Sequence, residues 1–294
     1  MVAQDFDHRW LEDHRFGLVD ASWRDELPVH WPHQVVAPSF LGSDTGRCPV
    51  LIDLQALSAA DRDGIAHQLA QQAQKQEPAV CSWLIRCELS LSQLAGHLAH
   101  RLAVRTEPQG QPKQFRYFDP GTTLQLPSVL GAPGVSWLLG PITSVWVPWA
   151  GHWTYFERQD PPPAAYPWTK ERVEGLLLIG VVNRVAARLA PPQHPQAWIE
   201  ECQRIAEHAR RAQTRHGVTH QADLVEFAWH AMVHHPRFDS HPHVAELLRR
   251  LRRATPEDEL DYRELTVRIS RTQWASIAAD LKAASENLQT TEQP

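Results

Sequence analysis

The prolines at positions 161, 162, 163 and 167 constrain this chain more than any other feature. Each holds its φ at about −65° and lacks a backbone donor, so no helix or central strand can run through Gln159–Pro167. The sequence differs in kind on the two sides of this break. Before it, short apolar runs alternate with amphipathic stretches; after it, the apolar residues recur only with helical spacing. The expected fold class is therefore α+β. It comprises an N-terminal α/β lobe of residues 1–158 with a small mixed sheet, a Pro-rich linker at 159–167, an all-helical C-terminal lobe at 168–288 and a polar tail at 289–294.

Within the first lobe, Phe16–Asp20, Pro49–Asp53, Ser82–Cys87 and Gln114–Phe118 read as strands. Thr143–Val147 and Trp153–Phe156 read as a hairpin turning at Gly151. Ser58 is expected to open a helix reaching Lys75 with Ile65 and Leu69 on one face. Ser90 opens a second, carrying Leu91, Leu94, Leu98 and Leu102. Asp119, ahead of Pro120, reads as a turn residue and as the N-cap of Thr122–Leu126, with Arg116 placed to pair with it across the bend. Beyond the linker, Thr169, Thr219 and Ser270 are placed as N-caps, the last with Gln273 in a capping box. Gly217 is expected to stop a long helix that starts near Gln196.

Charge and composition narrow the function classes. A formal net charge of −5 leaves no basic footprint, so nucleic acid is not an expected partner. Met1–His14 carries Asp5, Asp7, Arg9, Glu12 and Asp13 with no apolar stretch, which speaks against an export signal. The longest apolar run, Leu176–Val182, is far shorter than the ~20 residues of a membrane span. No membrane partner is expected, and the expected location is the cytoplasm. Cys48, Cys81, Cys87 and Cys202 are too scattered for a disulfide framework and are expected to be reduced, buried thiols. Tryptophan combines large apolar area with one donor and suits cores and interfaces alike. Trp146, Trp149, Trp153 and Trp168 are thus candidate anchors for a protein partner, the filling of a core being the alternative.

Four short motifs follow one another in order. They are Ser82–Arg86; Ser90–Leu102 with His97 and Arg101; Phe115–Pro120 with Arg116, Tyr117 and Asp119; and Gly140–Pro141–Ile142. In this order they resemble a domain of unknown function found in the effector adaptors of bacterial type VI secretion systems, the Tap or TEC chaperones. The likeness is best from about residue 48 to 157, and Ala99–His100 departs from the basic pair common there. The resemblance implies a cytoplasmic adaptor-chaperone, a binding protein with no enzymatic activity, catalytic residue or cofactor. Its implied partners are a toxic effector and the VgrG spike. The expectation is that one lobe holds each partner, the spike on the α/β lobe and the effector on the helical one.

Other chemistries have weaker support. Glu226, His230 and His234 stand at i, i+4 and i+8 on one helix, and helical spacing of this kind can bring imidazoles onto one metal ion. The H-E-x-x-H arrangement is missing, however, and no Cys pair completes a site, so no metal is expected. A metal-dependent hydrolase built on the His230/His234 region is the competing reading. A toxin-neutralising immunity protein is a third. No phosphate-loop, dinucleotide or nucleophile-elbow motif occurs. Arg249, Arg250 and Arg253 close a helix, where positive charge suits the dipole. A solvated helix end explains them simply; a docking patch for an acidic partner is the functional alternative.

Overall fold

The computed structural model describes residues 3–104, 110–163, 166–190, 192–253 and 260–291. Ala164 and Ala165 of the linker and residues 292–294 of the expected tail lie outside the described residues. The chain forms two compact units, Met1–Gly175 with Pro192–Ile199 and Leu176–Pro191 with Glu200–Pro294.

The first unit is built on strands β1 (Ala3–Asp5), β2 (Phe16–Val19), β3 (His33–Val35), β4 (Val50–Asp53), β5 (Cys81–Arg86), β6 (Ala103–Val104), β7 (Lys113–Gln114), β8 (Ser144–Trp149) and β9 (His152–Glu157). Seven of them form one sheet in the order β1-β9-β8-β5-β2-β4-β3, and β6 and β7 make a separate ribbon. The main sheet, expected to be small and mixed, is antiparallel at every pairing. The reason lies in β2. The helix Ala59–Lys75 carries the chain from β4 over to β5, and these two strands do run parallel. β2 lies between them, however, and pairs antiparallel with both.

Both sheet faces are covered. On one, Leu84 and Trp146 join Ile65 and Leu69 of the helix Ala59–Lys75 in a cluster with Trp153. Ser58 caps that helix, its hydroxyl accepting from the Asp61 N–H. Successive strand residues point to opposite faces, so Trp83 lies on the other face, its ring 5.3 Å from Tyr117. This side is covered by the helix Leu91–Arg101, opened by a complete Ser90–Gln93 capping box, and by Leu126–Leu139. The latter is absent from the sequence expectation because Pro133 lies inside it and Gly131, at φ 69°, kinks it. The hairpin turns through Ala150 and Gly151, both at positive φ. The strand expected at Gln114–Phe118 stops at Gln114. Tyr117 and Phe118 are both fully buried, and the chain turns there through the Tyr117 N–H to Phe115 C=O and Asp119 N–H to Arg116 C=O bonds.

The second unit is helical. Its elements include Pro195–His216 from Glu200 on, Gln221–Val233, Pro242–Arg253, Tyr262–Thr266 and Arg271–Thr291. Gly217 ends the first of these at φ 71°, and Ser270 with Gln273 forms the expected box before the last. Thr219 does not cap its helix. The helix begins at Gln221 with His220 in the cap position, which puts Thr219 one residue too far out to reach the free N–H groups. Phe227, Phe238 and Tyr262 are completely buried at the centre of this unit. The last helix runs on through Thr291, into what reads as tail.

Candidate protein-docking site

In the structure the four motifs form a framework. Arg116 lies at the turn after β7 and donates to both oxygens of Asp119, each at 2.9 Å. The same guanidinium donates to Asp20 at 2.9 Å, ninety-six positions away, and so ties the turn to the end of β2. The Asp119 hydrogen bond raises the Arg116 pKa. At Asp20, burial favours the neutral acid, but bonds from Ser22 and the charge of Arg116 outweigh it and hold the carboxyl below its ordinary value. Asp119 occupies the cap position before Pro120–Thr123, yet its side chain makes no cap bond. The expected N-cap role is therefore corrected: Arg116 has taken the carboxylate.

Tyr117 turns inward and donates to the Leu98 carbonyl at 2.9 Å. Thr123 accepts from the Trp83 indole at 2.9 Å and donates to the Tyr117 carbonyl at 2.6 Å. This one hydroxyl thus joins β5 to the turn and to the helix that begins at Pro120. Arg101 lies 3.8 Å from the centre of the Trp137 ring, within cation–π range. Gly140 sits at φ 55°, and a Cβ there would come within 2.5 Å of the His97 ring. His97 bonds through Nε2 to the Leu138 carbonyl at 3.1 Å. Burial, aided by the charge of Arg101, pulls its pKa down to about 4, so the ring is neutral. Pro141 accepts the Cys87 thiol at 3.6 Å, and Arg158 donates to the Gly140 carbonyl at 2.6 Å. Arg86 is exposed at the end of β5, where its C=O accepts from Thr143. Asp20, Thr123, Trp137 and Arg158 complete this framework without any sequence signal, because their partners are distant along the chain.

The tryptophans divide. Trp146 and Trp153 are 6% and 1% exposed, and Trp10 stacks on Trp146 at 3.9 Å. As core residues on the hairpin they offer no surface, which corrects their reading as anchors. Trp149 is half-buried, 4.2 Å from the Trp198 ring, and donates to the Pro192 carbonyl at 3.2 Å. Trp168, also half-buried, stands edge-on to Trp137 and Tyr166. These two keep some accessible area.

In the helical unit, Arg249, Arg250 and Arg253 are all exposed. They share the outer side of Pro242–Arg253, opposite the buried Val244 and Leu248. Arg249 pairs with Glu246 at 2.7 Å. His230 is buried, with Nδ1 at 2.8 Å from the Tyr262 hydroxyl and Nε2 at 3.5 Å from Glu226. Burial raises the Tyr262 pKa far above its ordinary value, so the phenol keeps its proton and donates to Nδ1. The Trp274 ring lies 4.4 Å from both His230 and His234 and is stacked on the latter. The indole thus packs against both imidazoles. Among the described residues no group of three or more His, Cys, Asp or Glu is placed to hold a metal ion.

Residues 46–136 match a family model described as Domain of unknown function (DUF4123). No curated protein and no solved structure matches the chain. The matched segment holds β4, β5, the helix Leu91–Arg101 and the Arg116–Asp119 turn. Gly140, Pro141 and the hairpin fall beyond its end. Among the described residues no helix is long and apolar enough to cross a membrane.

Proposed function

We propose that this chain is an adaptor-chaperone of a bacterial type VI secretion system. It binds a toxic effector in the cytoplasm and helps load it onto the VgrG spike, acting stoichiometrically rather than as an enzyme. The observation that carries this reading is the DUF4123 match over residues 46–136, taken with the likeness of the four motifs to such adaptors. The role of those motif residues agrees with it. Arg116, Tyr117, Asp119 and His97 are spent on holding the fold together, as expected where a shared scaffold presents variable contact surfaces.

The spike is assigned to the N-terminal unit and the effector to the helical one, where the arginine side of Pro242–Arg253 offers charge to an acidic partner. Co-purification of the tagged full-length chain from its native cell tests the reading. A VgrG protein and a toxin are expected together in the eluate. Reversing Arg249, Arg250 and Arg253 to glutamate is expected to release the toxin and keep the spike. An eluate containing neither protein would refute the adaptor function. Release of the spike alone by the triple variant would refute the assignment of partners.

A further inference from the structure

The N-terminal unit has a concavity on the sheet face that carries the helix Ala59–Lys75. Val19, Ile52 and Ile65, each at most 3% exposed, line its depth, and Trp23 and Trp31 from the β2–β3 connection form its wall. Its volume is ≈ 110 Å³. Apolar cavities of about 150 Å³ admit a benzene molecule, so this one has room for a single aliphatic side chain.

Two features set it apart from a packing defect. Glu26 lines the mouth and is exposed, and among the described residues its carboxylate has no ion pair. Val29 lies in the same connection, one residue after the cavity-lining Pro28, and is 94% exposed. Val29 thus adds exposed apolar area to a connection whose Trp23, Leu27 and Trp31 already line the cavity. The free carboxylate specifies the charge of what docks there.

We propose that this cavity is the docking point for a protein segment bearing one aliphatic side chain beside a lysine or arginine. The aliphatic group enters between Trp23 and Trp31, and the cation pairs with Glu26. The inference deepens the adaptor reading and rests on it for one point, that the spike is the partner supplying the segment.

The test is calorimetric titration of the purified full-length chain with three synthetic peptides. In one, a leucine sits between two lysines in an otherwise polar sequence. The second has alanine for the leucine, and the third has glutamates for the lysines. The first is expected to bind saturably at one per chain. Replacing leucine by alanine should weaken binding about thirtyfold, and replacing the lysines about tenfold. Glu26→Lys, at an exposed position, should invert the charge preference, and Gln68→Trp at the mouth should remove the preference for leucine. Circular dichroism confirms that each variant is folded. Equal affinity for leucine and alanine peptides, an unaltered charge preference in Glu26→Lys, or no saturation with any peptide would overturn the proposal. In co-purification, Glu26→Lys is expected to lose the spike. If it captures spike and effector as well as the wild type does, the cavity is not the docking point, while the adaptor function stands.

Discussion

Arg116 donates to Asp20 at 2.9 Å across ninety-six positions of sequence, so one guanidinium joins the end of a central strand to a turn that carries the motif Phe115–Pro120. Both groups are part-exposed, which keeps the strength of the pair modest. Arg116→Ala is expected to cost about 1–2 kcal/mol of stability, since two charge-assisted partners go at once. Asp119→Ala should cost about 1 kcal/mol or less, because no cap bond is lost with it. Urea denaturation measures both. A double-mutant cycle of Arg116→Ala with Asp20→Asn should give a coupling energy of at least about 0.5 kcal/mol, and a value of zero would show the link to be ornamental.

Gly140 allows the chain to turn against the His97 ring. Gly140→Ala is expected to destabilise the protein by at least about 1–2 kcal/mol, from positive φ and from the close approach together. His97→Ala removes the ring the new methyl would meet, so the two substitutions together should cost less than the sum of their separate losses, the backbone strain remaining. Thermal melting of the two single variants and the double variant checks this, and strictly additive losses contradict it.

Stability should fall in mild acid, before carboxylates titrate. Burial lowers His97 and His208 to about 4 and His230 to about 3, from an ordinary 6.5. Between these values the unfolded chain binds protons that the folded chain does not, so stability is full above pH 6.5 and declines as pH drops below it. The expected loss from pH 6.5 to 5 is on the order of 1–2 kcal/mol per histidine. Urea midpoints at pH 7, 6 and 5 measure the total, and His230→Asn should flatten the profile. A profile unchanged between pH 7 and 5 is incompatible with neutral buried rings.

His230→Ala is expected to loosen the helical unit by about 2 kcal/mol, leaving the Tyr262 hydroxyl without its acceptor and opening a gap beside the Trp274 ring. Elemental analysis of wild type and variant is expected to find no stoichiometric transition metal in either. One zinc per chain in the wild type, lost in the variant, would revive the hydrolase reading.

Much of the backbone could be read from sequence because the signals were local. Ser58, Ser90 and Ser270 each act within three positions of the helix they open, and the Gly151 hairpin is bounded by its own strands. The antiparallel sheet was not legible, because it depends on β2 entering between β4 and β5, a matter of topology that no window of sequence contains. β1 and β3 are too short to show a period. The helix Leu126–Leu139 carries the very prolines and glycines that ordinarily mark a break. At the candidate site the motif positions could be named but their use could not. Asp119 carries the expected cap signature and spends its carboxylate on Arg116 instead. Trp146 and Trp149 look alike in sequence, yet strand register buries the first and leaves the second partly open. The cavity beneath Trp23 and Trp31 has contributions from β2, β4, β5 and a helix, so nothing in the linear order announces it.

The main sheet ends in β1 on one side and β3 on the other, each of only three residues. A long, bare backbone ladder at a sheet margin is a template onto which any extended chain can zip. Here the terminal strands offer a stray strand few hydrogen bonds, although β1 covers only His152–Thr154 of the six-residue β9. Short margins of this kind leave recognition to side chains, which differ from one sequence to the next, rather than to main chain, which is the same in all of them.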